Sequence, residues 1–173
     1  MKLDVIQPPS EAKPWFAGGL QFTCSQCGNC CSGPPGYVWI NEEEIAKLAQ
    51  FLKISRKKLL DKYCRKIGSQ YSLKESQHPQ HGGYDCIFVQ EIPAEKDDTG
   101  QVVAHTRRIC SIYSVRPLQC RTWPFWEGNL ASPKAWALAA KKCHGMNSGK
   151  MFDRKKIEQL RDAEEWPKNP PTS

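Results

Sequence analysis

Histidine and methionine are scarce in this 173-residue chain, with four and three copies, and no apolar run approaches the length of a membrane-spanning helix. Residues 1–20 carry Asp4, Pro8, Pro9, Glu11 and Pro14, which break any apolar core of a secretory leader. The expectation is therefore a cytoplasmic chain whose thiols stay reduced. No internal repeat is present. No Ser/His/Asp order, paired carboxylates or phosphate loop stands out, so no catalytic residue is named. A glycine-rich strand–turn–helix signature for a nucleotide-type methyl donor is also missing. Hydrophobic residues make up only 39% of the chain, with a mean hydropathy of −0.61. A core this modest would gain from metal staples.

Cysteine, by contrast, is abundant, with nine copies. Four fall in one stretch, Cys24-Ser25-Gln26-Cys27-Gly28-Asn29-Cys30-Cys31. Thiolates are the soft ligands that zinc and iron–sulfur centres select. A two-residue gap lets a tight turn aim two sulfurs at one ion, and Gly28 supplies the freedom in φ that such a turn needs. Adjacent side chains diverge, so Cys30 and Cys31 are expected to serve two centres, or one to ligate while the other supports. Where a ferredoxin run would place its next cysteine stands Pro34, so any further ligands must come from far along the chain.

The formal charge is +7. Eight thiolates around two divalent ions would take it to about +3, since metal ligands are deprotonated. The basic excess therefore argues only weakly for nucleic acid.

Asn41-Glu42-Glu43-Glu44 reads as a capped helix start, with Ile45, Leu48, Ala49 and Leu52 on one buried face. Tyr37–Ile40 before it reads as a strand. A second helix is expected from Ser55, with Leu59, Leu60, Tyr63, Cys64 and Ile67 inward. Cys64 on that stripe reads as a small buried hydrophobe. The same segment bears Arg56, Lys57, Lys58, Lys62, Arg65 and Lys66, either a solvated face or a phosphate-binding surface. Residues 68–85 read as a polar loop, in which His78 and His81 are more simply exposed than ligating.

Cys86–Gln90 reads as a strand, Asp97–Gly100 as a turn, and Val102 to about Cys110 as the returning strand, with Cys86 and Cys110 near the open end of the hairpin. Pro117 and Pro124 argue for a fixed loop around Cys120 rather than a long helix. Ser132-Pro133 opens a helix that delivers Cys143, with Gly145 as its stop. Asp153 caps a last helix to about Glu165, and prolines end the chain. Trp15 and Phe16 are candidate anchors. The domain reading is an extended lead-in over 1–21, a metal-binding domain over 22–145, and a C-terminal helix and tail over 146–173. The fold class is α+β, a small single domain with short helices and a hairpin around a cysteine-rich metal centre.

With Cys64 set aside, Cys24, Cys27, Cys30, Cys31, Cys86, Cys110, Cys120 and Cys143 remain as candidate ligands. Eight is the count for two four-sulfur centres, or for one cluster beside a mixed or open site. Spacing alone leaves zinc and iron–sulfur open. The all-cysteine set tilts toward a 4Fe–4S cluster for at least one centre. The alternative is a zinc-stabilised nucleic-acid or protein interaction module using the basic residues 56–66.

The cysteine run, then Asp85-Cys86-Ile87-Phe88, then Cys110-Ser111-Ile112-Tyr113-Ser114-Val115-Arg116-Pro117-Leu118-Gln119-Cys120-Arg121-Thr122-Trp123-Pro124-Phe125, and last Cys143, closely resemble the YkgJ-type CxxCxxCC family. These are cysteine cluster proteins described as zinc- or iron-chelating domains. The resemblance spans about residues 22–145 and implies metal binding rather than any particular reaction. Trp123 stands where the family often has Phe. A related pattern occurs in flagellin lysine methylases, beside other sequence that is absent here. Arg116 and Arg121 flank Cys120 and either stabilise an anionic sulfur centre or form ordinary ion pairs. Tyr113 is a candidate hydroxyl donor to a sulfur or a carboxylate. Trp123 and Phe125 read as shields against water.

Overall fold

The computed structural model describes residues 13–78, 82–96, 98–104, 107–163 and 166. In chain order the elements are β1 (Leu20–Phe22), β2 (Ser32–Gly33), β3 (Val38–Ile40), α1 (Glu42–Phe51), α2 (Arg56–Tyr63), β4 (Cys64–Ile67), β5 (Gln70–Leu73), β6 (Glu75–Gln77) and β7 (Tyr84–Cys86). There follow β8 (Val89–Ile92), β9 (Glu95–Lys96), β10 (Val102–Ala104), β11 (Arg107–Cys110), α3 (Leu118–Thr122), α4 (Glu127–Leu130), α5 (Pro133–Ala140), β12 (Met146–Phe152) and α6 (Arg154–Asp162). All the strand pairs are antiparallel, in small sheets ordered β1-β12, β9-β10, β8-β11, β2-β7-β6 and β3-β5-β4. The fold is α+β. Among the described residues, no helix is long and apolar enough to cross a membrane.

Local chemistry sets the helix starts as the sequence predicts. The Asn41 side chain accepts from the Glu44 amide at 2.9 Å, and Glu44 returns a bond to the Asn41 amide at 3.2 Å, closing a capping box. Ile45, Leu48 and Ala49 are buried beneath α1. Ser55, Ser132 and Asp153 cap α2, α5 and α6, each side chain accepting from one first-turn amide.

Three expectations are corrected. First, α2 stops at Tyr63. Cys64 is extended, and Cys64–Ile67 pairs with β5 across a turn at Gly68, whose φ is +59°. The apparent helical spacing of Cys64 and Ile67 thus gives way to a hairpin, because a glycine free to turn lets ladder bonds replace helix bonds. Second, residues 68–85 are not a plain loop but hold β5, β6 and most of β7. Ser72 is fully buried, accepting from the Val38 amide and donating to the Leu73 carbonyl. His78 is buried rather than exposed, facing Glu91 and Asp85. Polar side chains go inside when partners meet them there. Third, no single strand runs over Cys86–Gln90. Cys86 ends β7 opposite Glu75, a turn follows at Ile87-Phe88, and β8 begins at Val89.

The hairpin itself forms, with Cys110 opposite Val89 and Val102 opposite Lys96. Asp97 in its predicted turn, His81, residues 1–12 of the lead-in and residues 167–173 of the tail lie outside the described residues.

Two apolar clusters result. One gathers α1, α2 and the β3-β5-β4 sheet around Leu48, Leu59, Leu73, Phe88 and Ile112. The other gathers Phe16, Leu20, Phe125, Leu130, Trp136, Met146 and Ile157 from both ends of the described chain. Phe16 is buried, and Trp15 donates its indole N–H to the Leu130 carbonyl at 2.7 Å, so both predicted anchors hold.

Candidate metal centre

Backbone contacts fix where each cysteine segment starts. Beyond β1, the Thr23 amide bonds the Gly145 carbonyl at 3.0 Å, and the Thr23 hydroxyl accepts from the Lys150 amide at 2.9 Å. A Cβ at Gly145 would collide with the Thr23 carbonyl. Glycine there permits the close approach that brings Cys24 toward Cys143. Gly28 is left-handed at φ +73°, as the turn requires, and leads into a 3-10 turn over Asn29–Cys31. The Asn29 amide group donates to the Lys142 carbonyl at 3.1 Å, a second tie to the end of α5.

Cys120 rides on α3, which is clamped from both sides. Gln119 accepts from the Trp39 amide at 2.8 Å and donates to the Tyr37 carbonyl at 3.2 Å. Glu44 accepts the Leu118 amide at 2.5 Å. The expected fixed loop is corrected: Cys120 lies inside a five-residue helix, kept short between Pro117 and Pro124.

All eight predicted cysteines line one cavity of about 50 Å³, and Cys64 does not. Among the described residues lining that cavity there is no carboxylate and no histidine, and Arg116 is the one cation. Small-molecule sites usually measure roughly 300–1,000 Å³, so this space suits ions or an inorganic group better than an organic ligand. Its walls are the soft donors that zinc and iron–sulfur groups take. Among the described residues, no three Cys, His, Asp or Glu side chains already close around a single point as the ligands of an ion do.

The vicinal pair does not diverge as expected. The Cys30 and Cys31 sulfurs stand 3.9 Å apart within the 3-10 turn. A tetrahedral ion with Zn–S bonds of about 2.3 Å would set two sulfurs roughly 3.8 Å apart.

The thiols differ in acidity. Hydrogen bonding by Cys31 draws Cys30 down to about 7 and Cys110 down to about 6, against the cost of burial, with the positive charge of Arg116 assisting. Cys31, the partner of both, is pushed up by those same bonds and by burial. Burial also raises Cys120, and takes Cys86 and the off-site Cys64 to about 11.

The two arginines beside Cys120 divide. Arg116 lies 3.6 Å over the Tyr113 ring and points Nη1 at the Cys24 sulfur at 3.9 Å. Arg121 turns away to pair with Glu44 at 3.5 Å. Burial, and then a bond with Cys24, raises the Tyr113 hydroxyl pKa. Trp123 does more than shield, since its indole N–H reaches the Cys143 sulfur at 3.4 Å, whereas Phe125 is buried in the second apolar cluster.

None of the basic residues 56–66 lines this cavity. Arg56 pairs with Glu42, Lys57 with Asp61, and Arg65 with Glu75. The Arg56 and Lys57 pairs suit a solvated face, whereas the Arg65–Glu75 pair is partly buried.

Comparison with known proteins decides the family. Residues 23–144 match the profile described as "CxxCxxCC: Putative zinc- or iron-chelating domain". The chain belongs to the CxxCxxCC family. It is also 31% identical over 111 residues to "Uncharacterized protein MJ0661" of Methanocaldococcus jannaschii. That match takes in 64% of this chain and 48% of the relative, so the chain spans about half the relative's length. No solved structure matches.

Sequence reasoning passed over Arg108 and Ser32, and gave Asp85 no role beyond its place in the motif. All three form a polar network against the cysteine segments. The signal was their adjacency to cysteines: Ser32 follows Cys31, Asp85 precedes Cys86, and Arg108 stands two residues before Cys110.

Proposed function

We propose that this CxxCxxCC domain is a metal-binding protein that holds its ion or ions through the eight cysteines of the cavity. The supporting observation is a cavity lined by all eight cysteines, with no carboxylate or imidazole among the described residues that line it. The 3.9 Å separation of Cys30 and Cys31 favours a mononuclear tetrahedral ion, with zinc as the first reading. A closed four-sulfur zinc site stabilises a fold and carries out no reaction. In this reading Arg116 offsets the negative charge of the sulfurs, and the Trp123 indole donates to one of them.

A second reading is an iron–sulfur cluster, which eight cysteines with no histidine or carboxylate in the lining also favour. Elemental analysis of protein purified without oxygen separates the two. Colourless protein with about two zinc ions per chain supports zinc. Brown protein with iron and acid-labile sulfide supports the cluster. Protein carrying neither, and taking up neither, would overturn both.

A further inference from the structure

Three of the candidate ligands arrive on strands of two different sheets. Cys31 leads into β2 and Cys86 ends β7, which pair with each other; Cys110 ends β11, which pairs with β8. Among the described residues no backbone ladder joins these two sheets. The Arg108 side chain reaches from one to the other. Arg108 reaches Asp85 with Nη2 at 2.5 Å and donates from the same nitrogen to the Ser32 hydroxyl at 2.9 Å. Ser32 in turn donates to the Gly28 carbonyl at 3.2 Å, extending the tie to the turn that carries Cys30 and Cys31.

The packing is close as well as polar. A Cβ on Gly28 would stand 3.2 Å from the Arg108 Cβ, so the cysteine turn rests directly on this side chain. Residues two apart on a strand share a face, which puts Arg108 and Cys110 on the same side of β11. The Asp85 and Arg108 side chains are only 14% and 20% exposed. His78 and Glu91 complete the surroundings. His78 Nε2 lies 3.8 Å from Asp85 and 3.4 Å from Glu91, and Glu91 lies 3.9 Å from the Arg108 Nε.

We propose that Asp85 and Arg108 are positioning residues, a partly buried brace that sets the mutual placement of Cys31, Cys86 and Cys110. The inference rests on the metal-binding reading for its purpose, but not for its test. Groups that orient ligands commonly change metal affinity by about 10- to 100-fold when removed. The two N–H bonds of Nη2 lie in the guanidinium plane at fixed angles, whereas a lysine ammonium turns freely on a flexible stem.

The test uses full-length Arg108→Lys and Asp85→Asn. Ser32→Ala is added because it removes one arm of the brace and keeps the question open should a charged variant fail to fold. In metal-free protein, alkylation by iodoacetamide is followed cysteine by cysteine by mass spectrometry. Cys31, Cys86 and Cys110 are expected to react several-fold faster than in the parent, while Cys64 and Cys143 keep the parent rate. Cobalt(II) titration against a competing chelator is expected to show affinity about tenfold or more weaker, with an altered thiolate-to-cobalt absorption band. Unchanged rates at the three cysteines, or a rise shared equally by Cys64 and Cys143, would overturn the brace. Failure of the parent protein to take up cobalt, zinc or iron would instead sink the metal-binding reading, and the alkylation pattern would still decide the brace.

Discussion

The two apolar clusters are built by different means. The first draws on residues 38–112, where capped helices and short hairpins present aliphatic faces to one another. The second joins residues near both ends of the described chain through the β1–β12 pair, and its filling is largely aromatic. There Phe125 contacts Trp136 at 5.8 Å, Phe152 at 4.8 Å and Phe22 at 6.0 Å. The sulfur cavity touches both, with Cys86 buried in the first cluster and Cys143 in the second. A region secured by local secondary structure needs little else. One assembled from distant segments depends on whatever holds those segments together, and bound metal at the seam would do so.

The largest effect that sharpens this contrast is loss of a ligand. Cys27→Ser and Cys120→Ser are expected to lower bound metal and soluble yield together, whereas Cys64→Ser leaves the metal count unchanged. Equal metal content in all three, by elemental analysis, would remove the ligand assignment. Chelation of loaded protein should likewise raise amide hydrogen exchange in β1, β12 and the Cys24–Cys31 segment, while α1 keeps its protection. Uniform loosening throughout would abolish the distinction between the clusters.

Next in size is a cavity in the first cluster. Leu59 is fully buried, so Leu59→Ala should cost about 2–5 kcal/mol in chemical denaturation, with or without metal. A cost well under that would mean α2 contributes little to this core.

Cys64 offers a smaller, pH-dependent probe. Burial raises its thiol from 9.0 to about 11. Its contribution is fully present below the unfolded pKa and is lost as pH rises through the folded value, by about 3 kcal/mol at most. Cys64→Ala should therefore flatten the fall in stability between roughly pH 9 and pH 11. An unchanged slope would assign that fall to other groups. The smallest effect is expected at the α1 cap, where Asn41→Ala should cost about 1 kcal/mol and leave metal content as it was.

The first cluster was more legible than the second. Asn41, Ser55, Ser132 and Asp153 announce their helices because a cap is a contact over three residues. Strand β12, with its exposed run from Asn147 to Met151, announces nothing, because its pairing partner lies more than a hundred residues away. The buried state of His78 and Ser72 was equally hidden, since a polar residue goes inside only where folded neighbours satisfy it. At the site, the identity of the eight cysteines was readable. The closeness of Cys30 and Cys31, and the parting of Arg116 from Arg121, were not.

The sequence by itself determined a thiol-rich, histidine-poor composition, the family the chain belongs to, and the helices whose caps lie within a few residues. The tertiary structure alone decided that one cavity collects all eight sulfurs, and that Arg108 spans the sheets delivering three of them. The physical reason is range. Donor type and capping are fixed by neighbours along the chain, whereas convergence depends on pairings such as Thr23 with Gly145, which exist only once distant segments have packed.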